Sequence, residues 1–190
     1  MVEEVREPDL ELLAAWRAGD VGAGNRLCRR YQRRLLRMFA TKVPAQEVEE
    51  MIQQTWLAMT RSSDLVRGPD APLRSFRGYL FGVARHVLVA YYRQRERTLD
   101  IDPEVDTLAA LEPSISRQLS LQRQIKWVEV AMQSLPIDLQ LLMEGRYVEE
   151  LSSPELAEAF GIPEGTVRSR LWRARQLLDQ ALARLQPPRS

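Results

Sequence analysis

Apolar side chains recur every three or four residues along almost the whole of this 190-residue chain, which is the period of a helix with one buried face. No stretch alternates apolar and polar residues for long enough to predict a strand. The spacing predicts helices over 10–18, 25–43, 46–60, 76–97, 121–134 and 136–147, followed by two shorter helical patterns. Asp9 and Ser75 precede the first and fourth helices and are predicted to cap them. The pattern therefore predicts an all-α fold.

Two segments interrupt the helical pattern and divide the chain. Residues 62–75 include one glycine and two prolines and are predicted to form a loop. Residues 98–118 hold five acidic residues against one arginine, together with two prolines, which predicts a flexible linker without regular structure. The sequence thus predicts two helical modules, an N-terminal module over 10–97 and a C-terminal module over 119–186.

The last two helical patterns, over 152–178, predict a helix-turn-helix. Ser152 can cap the first helix with Glu155 three residues on, Gly161 supplies the turn, and Pro163 opens the second helix. The apolar stripe of the second helix comprises Val167, Leu171, Ala174 and Leu178. Off this stripe lie Arg168, Ser169, Trp172, Arg173, Arg175 and Gln176. Such a face is typical of a helix that enters a DNA major groove, and the alternative is a helical hairpin with a solvated basic face.

Charge is spread unevenly although the net charge is only +1. Residues 73–97 hold six arginines against a single acidic residue, Glu96. Residues 161–190 hold six arginines against Glu164 and Asp179. Two basic blocks separated by an acidic segment predict two modules that each contact a polyanion.

The composition and the motifs exclude several classes of protein. The single cysteine, Cys28, excludes an internal disulfide and a cysteine-cluster zinc site. The N-terminus lacks the apolar run of a signal peptide, and the most apolar stretch, 80–84, ends at Arg85, so neither a leader nor a membrane span is predicted. The single cysteine also fits a cytoplasmic protein, which we predict. No phosphate loop, nucleophile motif or histidine–carboxylate set is present, so we predict that the protein is not an enzyme and has no cofactor and no metal.

Three segments, in this order, resemble the extracytoplasmic-function (ECF) group of bacterial sigma factors in the sigma-70 family. Residues 47–59 are similar to region 2.2, residues 75–97 to regions 2.3 and 2.4, and residues 135–178 to region 4. The resemblance covers about 10–185 and implies a sigma factor that binds the RNA polymerase core and directs initiation by reading −10 and −35 elements. It also implies four further points: contacts with the polymerase β and β′ subunits and with promoter DNA, an anti-sigma factor as regulator, and a monomer when free.

In region 2.2, the resemblance implies docking on the coiled coil of the polymerase β′ subunit. The residues at these positions are Glu50, Gln53 and Gln54, which face away from the apolar stripe, and the family usually has an acid where Gln54 stands. For the ring of Trp56, in the same segment, we predict a place in the core.

Regions 2.3 and 2.4 interleave aromatic residues with arginines, a pattern that suits a partly single-stranded DNA partner. The residues that the resemblance places at the −10 element are Arg74, Ser75, Phe76, Arg77, Arg85, His86, Arg93 and Arg95. The helical period predicts an inward face of Tyr79, Val83, Val87 and Ala90. His86 stands where the family often has asparagine, and its alternatives are a polar groove or the core, because no second ligand accompanies it as a metal site requires.

In region 4, the resemblance implies −35 contacts from the second helix of the helix-turn-helix. The residues are Arg146, Arg168, Ser169, Arg170, Trp172, Arg173 and Arg175. The alternative for Arg146 is a surface salt bridge with Glu144 or Glu150, and the alternative for Trp172 is a buried ring.

Three rival functions remain on sequence grounds. The first is a helix-turn-helix transcriptional regulator that does not serve as a sigma subunit, and the second is a sigma-like mimic that binds an anti-sigma factor but not DNA. The third is an enzyme. The basic, aromatic segment 76–97 argues against the first, and the arginines of both DNA-facing helices argue against the second.

Overall fold

The structure is a computed structural model that describes residues 8–61, 73–95, 107 and 126–185. These residues form eight α-helices and one short 3₁₀ turn, Ala45–Glu47, with no strand among them and a single isolated bridge between Thr107 and Pro136. The helices are α1 Asp9–Arg17, α2 Val21–Ala40, α3 Val48–Arg61, α4 Phe76–Arg95, α5 Lys126–Gln133, α6 Ile137–Tyr147, α7 Ser153–Phe160 and α8 Glu164–Leu185. The predicted all-α fold is confirmed.

The N-terminal bundle consists of α1 to α4. Helix α2 begins four residues earlier than predicted because the Asp20 side chain accepts a hydrogen bond from the Ala23 amide at 3.1 Å, as a cap does. The predicted cap of α1 is wrong: Asp9 lies inside the helix, and its carboxylate instead binds Arg30 and Tyr31 of α2. Ser75 does cap α4, since its hydroxyl oxygen accepts from the Gly78 amide at 3.3 Å.

Helix α4 has buried residues around most of its circumference, whereas the helical period predicted only one buried face. Tyr79 and Val83 are fully buried as expected, but Ala90 is exposed, so that part of the predicted face is wrong. Leu80 and Phe81 are buried on other sides of the helix. The reason is that α4 lies between α3 of its own bundle and α7 of the C-terminal helices.

The C-terminal bundle, α5 to α8, contains the predicted helix-turn-helix. Ser152 and Glu155 form the capping box at the start of α7, and Gly161 ends that helix with a positive φ of 65°, a conformation in which glycine carries no steric penalty. In α8, Val167 and Ala174 are fully buried. The local pattern therefore predicted this motif correctly.

The two bundles pack against each other and share one continuous apolar core. At their contact, the rings of Phe81 on α4 and Phe160 on α7 lie 6.3 Å apart. Gly145 on α6 lies so close to Phe81 that an added Cβ would come within 3.3 Å of its ring. The predicted loop 62–75 and linker 98–118 fall outside the described residues, except for 73–75 and Thr107. No helix of the described ranges is long and apolar enough to cross a membrane.

Candidate nucleic-acid interface

The face of α8 opposite its buried stripe is basic and open to solvent. Trp172 is 64% exposed, so the alternative of a buried ring is wrong. The other predicted −35 residues of this helix are the exposed Arg168, Ser169, Arg173 and Arg175 and the half-buried Arg170. Arg168 is the fifth residue of α8, near the helix end that enters the groove in this motif. The helix thus presents guanidinium groups, a hydroxyl and an indole on one surface.

A second element borders this surface at the end of α6. The guanidinium of Arg175 lies 5.3 Å from the ring centre of Tyr147 and also donates to its hydroxyl. Tyr147 is 49% exposed and was missed by the sequence reasoning, in which only its neighbour Arg146 was considered. Arg146 is exposed and donates to the Leu151 carbonyl at 3.0 Å. Within the part of the chain that the structure describes, it forms no salt bridge with Glu144 or Glu150, the two alternatives that the sequence offered. Arg146 and Tyr147 therefore extend the candidate DNA surface beyond α8.

The predicted −10 residues divide by exposure. Arg74, Arg93 and Arg95 are exposed, and the Arg95 guanidinium lies 5.8 Å from the ring centre of Tyr91. The half-buried residues are Ser75, Arg77, Arg85 and His86, with His86 Nδ1 2.9 Å from the Gly82 carbonyl oxygen. Phe76 is 2% exposed and its ring lies 4.9 Å from that of Tyr31, which makes it a core residue here.

Three of the predicted −10 arginines are held by carboxylates of the C-terminal bundle. Arg85 forms two hydrogen bonds to Asp138, both 2.7 Å long, with its guanidinium 4.9 Å from the ring centre of Phe160. The other two pairs join Arg77 to Glu155 at 3.8 Å and Arg74 to Glu164 at 3.9 Å. In this structure, the α4 surface therefore faces the C-terminal bundle.

Glu155 joins the helix-turn-helix to the start of α4 electrostatically. Burial alone would raise the pKa of its carboxyl. Hydrogen bonds from Ser75 and Ser152 and the charge of Arg77 outweigh that effect, so the pKa of Glu155 lies below its ordinary value. The carboxylate therefore stays ionised at neutral pH, both as a helix cap and as a partner of the N-terminal bundle.

The predicted docking residues lie together on the outer face of α3. Glu50, Gln53 and Gln54 are exposed, and Gln54 Nε2 donates to Glu50 Oε1 at 2.8 Å. Leu57, one turn further along the same face, is 47% exposed and was not identified from the sequence. The sequence did contain a signal for this residue, because Leu57 is a large apolar residue that lies outside the predicted apolar stripe of the helix. Trp56 is half-buried and packs against the core with its ring 6.1 Å from that of Trp16, in agreement with the place predicted for it.

An all-helical fold with an open, basic recognition helix defines a DNA-binding protein of the helix-turn-helix class. The family model described as Sigma-70, region 4, matches residues 125–178. The ECF RNA polymerase sigma-E factors of Escherichia coli K12 and Salmonella typhimurium LT2 are each 30% identical to the chain over 177 residues, which is 90% of this chain and 92% of theirs. The sigma-E factor of Haemophilus influenzae is 29% identical over 180 residues, 92% of this chain and 95% of its own.

These similarities extend across both bundles. The solved structure of CnrH in complex with the cytosolic domain of CnrY has the same fold, with a TM-score of 0.64 and 23% identity over 93% of this chain and 98% of that one. The chain belongs to the ECF RNA polymerase sigma factors of the sigma-70 family. Because the relatives match the N-terminal bundle as well as region 4, a regulator that works apart from polymerase is not favoured.

Proposed function

We propose that this sigma factor docks on the polymerase core through the outer face of α3, reads the −10 element with the segment around α4, and reads the −35 element with α8. The observation that carries the proposal is the exposed basic face of α8, which lies opposite the buried side chains of Val167, Leu171 and Ala174. Arginine can form two hydrogen bonds to a guanine edge, and a helix of this motif lies in the major groove. Arg168, Ser169, Trp172 and Arg173 are the base-contacting residues, and Arg146, Arg170 and Arg175 contact phosphates.

The −10 contacts come from α4 and from the two residues that precede it. Arg93 and Arg95 are exposed beside Tyr91, and guanidinium groups next to an aromatic ring suit an unpaired strand, whose bases stack and whose phosphates bind arginine. The remaining contacts are from Arg74, Ser75, Arg77, Arg85 and His86. Phe76 is left out because its ring packs inside the bundle. Tyr91, which is half-buried, replaces it as the aromatic candidate.

In this proposal, the β′ coiled coil docks on the outer face of α3, and the β subunit is a further partner within the polymerase core. On α3, the exposed side chain of Leu57 lies one turn beyond the polar residues Glu50, Gln53 and Gln54 on the same face. An apolar centre with a polar rim is the usual anatomy of a protein interface. Leu57 therefore joins the three residues predicted from the sequence.

Reversing the charge at this face is expected to weaken core binding. Glu50→Lys combined with Gln53→Ala reverses a rim charge and removes a hydrogen-bonding group. We therefore expect the dissociation constant for core polymerase to rise about tenfold, a loss of ~1.4 kcal/mol in binding free energy. Fluorescence anisotropy of the labelled chain titrated with core enzyme measures it. Glu11→Lys, an exposed charge reversal on α1, is the matched control and should bind as the wild type does. Equal affinity of all three proteins would show that docking uses another surface.

An anti-sigma factor is the regulatory partner in this proposal. Between α2, α4 and α6 lies an apolar groove of about 440 Å³. Its apolar walls are formed by Tyr31, Leu35, Met38, Leu80, Phe81, Val148 and Leu151, and arginines and glutamates line its rim. An amphipathic helix with charged flanks fits such a groove. The similar protein CnrH was solved in complex with the cytosolic domain of CnrY, which agrees with a regulatory partner of this kind.

A charge placed in the groove is expected to release that partner. Val148 is 56% exposed at the groove wall, so Val148→Glu should abolish co-purification of an anti-sigma factor from non-induced native cells while core polymerase still co-purifies. Val21→Glu, on a 68% exposed residue that does not line the groove, is the control and should retain the partner. Recovery of polymerase subunits alone with the wild-type chain would contradict this part of the proposal.

A further inference from the structure

The last residue of α6 and the middle of α8 are joined by a contact between an aromatic ring and a guanidinium. Tyr147 ends α6, and Arg175 is the twelfth residue of α8, 28 positions later in the chain. The Arg175 guanidinium lies over the Tyr147 ring, 5.3 Å from its centre, and also donates a hydrogen bond to its hydroxyl. Both side chains are exposed to solvent. The attraction to the ring and the hydrogen bond together fix where this exposed guanidinium lies.

Arg175 belongs to a row of exposed residues on the recognition face of α8. Arg168, Trp172 and Arg175 are spaced by four and three residues, so they lie along the same side of the helix. At a rise of about 1.5 Å per residue, Arg175 lies roughly 10 Å along the helix axis from Arg168. The contact with Tyr147 is therefore at the C-terminal end of this row, away from the helix end that enters the groove.

Tyr147 holds the guanidinium without neutralising its charge. A phenol is uncharged at neutral pH, whereas a carboxylate in the same place would cancel most of the positive charge that attracts a phosphate. The Tyr147 hydroxyl also accepts from only one of the five N–H donors of the guanidinium. The pair therefore leaves Arg175 with both the charge and the donors that a phosphate oxygen needs.

A guanidinium that is already fixed binds an anion more tightly than a mobile one. The arginine side chain has several rotatable bonds, and their freedom is lost when the end group binds a phosphate. Because Tyr147 restricts these bonds before DNA arrives, a smaller part of that entropy is lost in the binding step.

We infer that Tyr147 is a positioning residue for promoter DNA, which holds Arg175 at the place where a phosphate of the −35 region binds. The inference rests on the proposed function because it takes Arg175 to be a phosphate contact. Phosphate contacts fix the orientation of a recognition helix on the duplex without reading its sequence. The end of α6 therefore raises the affinity for all DNA sequences alike, and it does so through Arg175.

Four kinds of variant separate positioning from direct contact. Tyr147→Leu and Tyr147→Gln remove the ring and the hydroxyl, one leaving an apolar and the other a polar side chain. Tyr147→Phe is the conservative variant, because it keeps the ring and loses only the hydroxyl. Arg175→Ala removes the group that is positioned. Val148→Ala is the control, because it shortens the neighbouring exposed side chain.

The test measures binding of the full-length chain to a fluorescent duplex of mixed sequence, by anisotropy over a series of potassium chloride concentrations. We expect Arg175→Ala to bind roughly tenfold more weakly and to lower the slope of log affinity against log salt by about 0.9, as loss of one phosphate contact does. Tyr147→Leu and Tyr147→Gln should bind about threefold to fivefold more weakly with the wild-type slope, because the charge of Arg175 remains. Tyr147→Phe should bind within about twofold of the wild type, and Val148→Ala as the wild type does.

The double variant decides between the two ways in which Tyr147 could act. If Tyr147 acts through Arg175, then Tyr147→Leu combined with Arg175→Ala binds no more weakly than Arg175→Ala alone. Losses that add in the double variant would show that Tyr147 contacts DNA itself, and would overturn the inference.

The remaining outcomes distinguish the inference from the proposed function. If Arg175→Ala weakens binding while natively folded Tyr147→Leu and Tyr147→Gln bind as the wild type does, the positioning role is wrong and the phosphate contact stands. If Arg175→Ala changes neither the affinity nor the salt slope, the phosphate contact in the proposed function is wrong. Circular dichroism of each variant shows whether the native fold is kept.

Discussion

Replacing Arg168 with alanine is expected to lower −35-dependent transcription and to relax the sequence preference, at a cost of about 1–3 kcal/mol for a bidentate contact to a base. Arg168 is exposed in the second turn of α8, and its neighbour Val167 is fully buried, which fixes the direction of the face. A guanidinium that reads a guanine distinguishes that base from the other three, so its loss affects the preferred promoter most. Run-off assays on promoters with single changes in the −35 element measure both effects.

Arg175→Ala is the matched comparison on the same helix. Arg175 lies against Tyr147 toward the middle of α8 and is proposed to contact a phosphate. Its loss should weaken binding to all sequences alike and reduce the dependence of binding on salt. Both variants should bind core polymerase normally. Wild-type discrimination at −35 by Arg168→Ala would mean that the recognition face lies elsewhere on α8.

Removing Glu144 is expected to give a large loss of stability, about 3–5 kcal/mol, because it strands a buried ammonium group. The Lys42 Nζ lies 2.6 and 2.8 Å from the two Glu144 carboxylate oxygens and 2.9 Å from the Met38 carbonyl oxygen. In Glu144→Ala, the charge loses its counter-ion while its side chain remains enclosed. Urea denaturation followed by circular dichroism measures the change in the free energy of unfolding.

Two further variants test whether the loss of stability in Glu144→Ala comes from the buried charge of Lys42. Glu150→Ala, at an exposed position, should cost within about 0.5 kcal/mol. Lys42→Met combined with Glu144→Leu replaces the pair by apolar groups and should recover most of the loss. A cost for Glu144→Ala no larger than that for Glu150→Ala would show that Lys42 is hydrated in solution.

The parts of the fold that short stretches of sequence determine were predicted correctly. The capping box of Ser152 and Glu155, the turn at Gly161 and the buried stripe of α8 each depend on residues within about three helical turns. The exposure of Trp172 followed from that stripe by the helical period alone. The same reasoning placed Glu50, Gln53 and Gln54 on an outer face, although their role in docking stays a prediction.

Features that depend on distant parts of the chain could not be predicted. Phe76 reads as one more ring in a basic, aromatic helix, and only the packing of Tyr31 against it shows that it is buried. Arg85 and Asp138 are 53 positions apart, and no local pattern links them. A single helical period also cannot show that α4 has neighbours on two sides, which is why the burial of Leu80 and Phe81 outside the predicted inward face was not predicted.

The long sequence separation of the contacts between the bundles has a consequence for the chain as it is synthesised. Lys42 pairs with Glu144, which lies 102 positions later in the chain, and Arg34 pairs with Glu149, 115 positions later. Domains fold as they leave the ribosome, N-terminal first. The arginines of α4 are therefore uncovered on the nascent chain until α6 and α7 emerge. A truncated translation product that ends before Asp138 would carry Arg74, Arg77 and Arg85 without the carboxylates that pair with them in the folded chain.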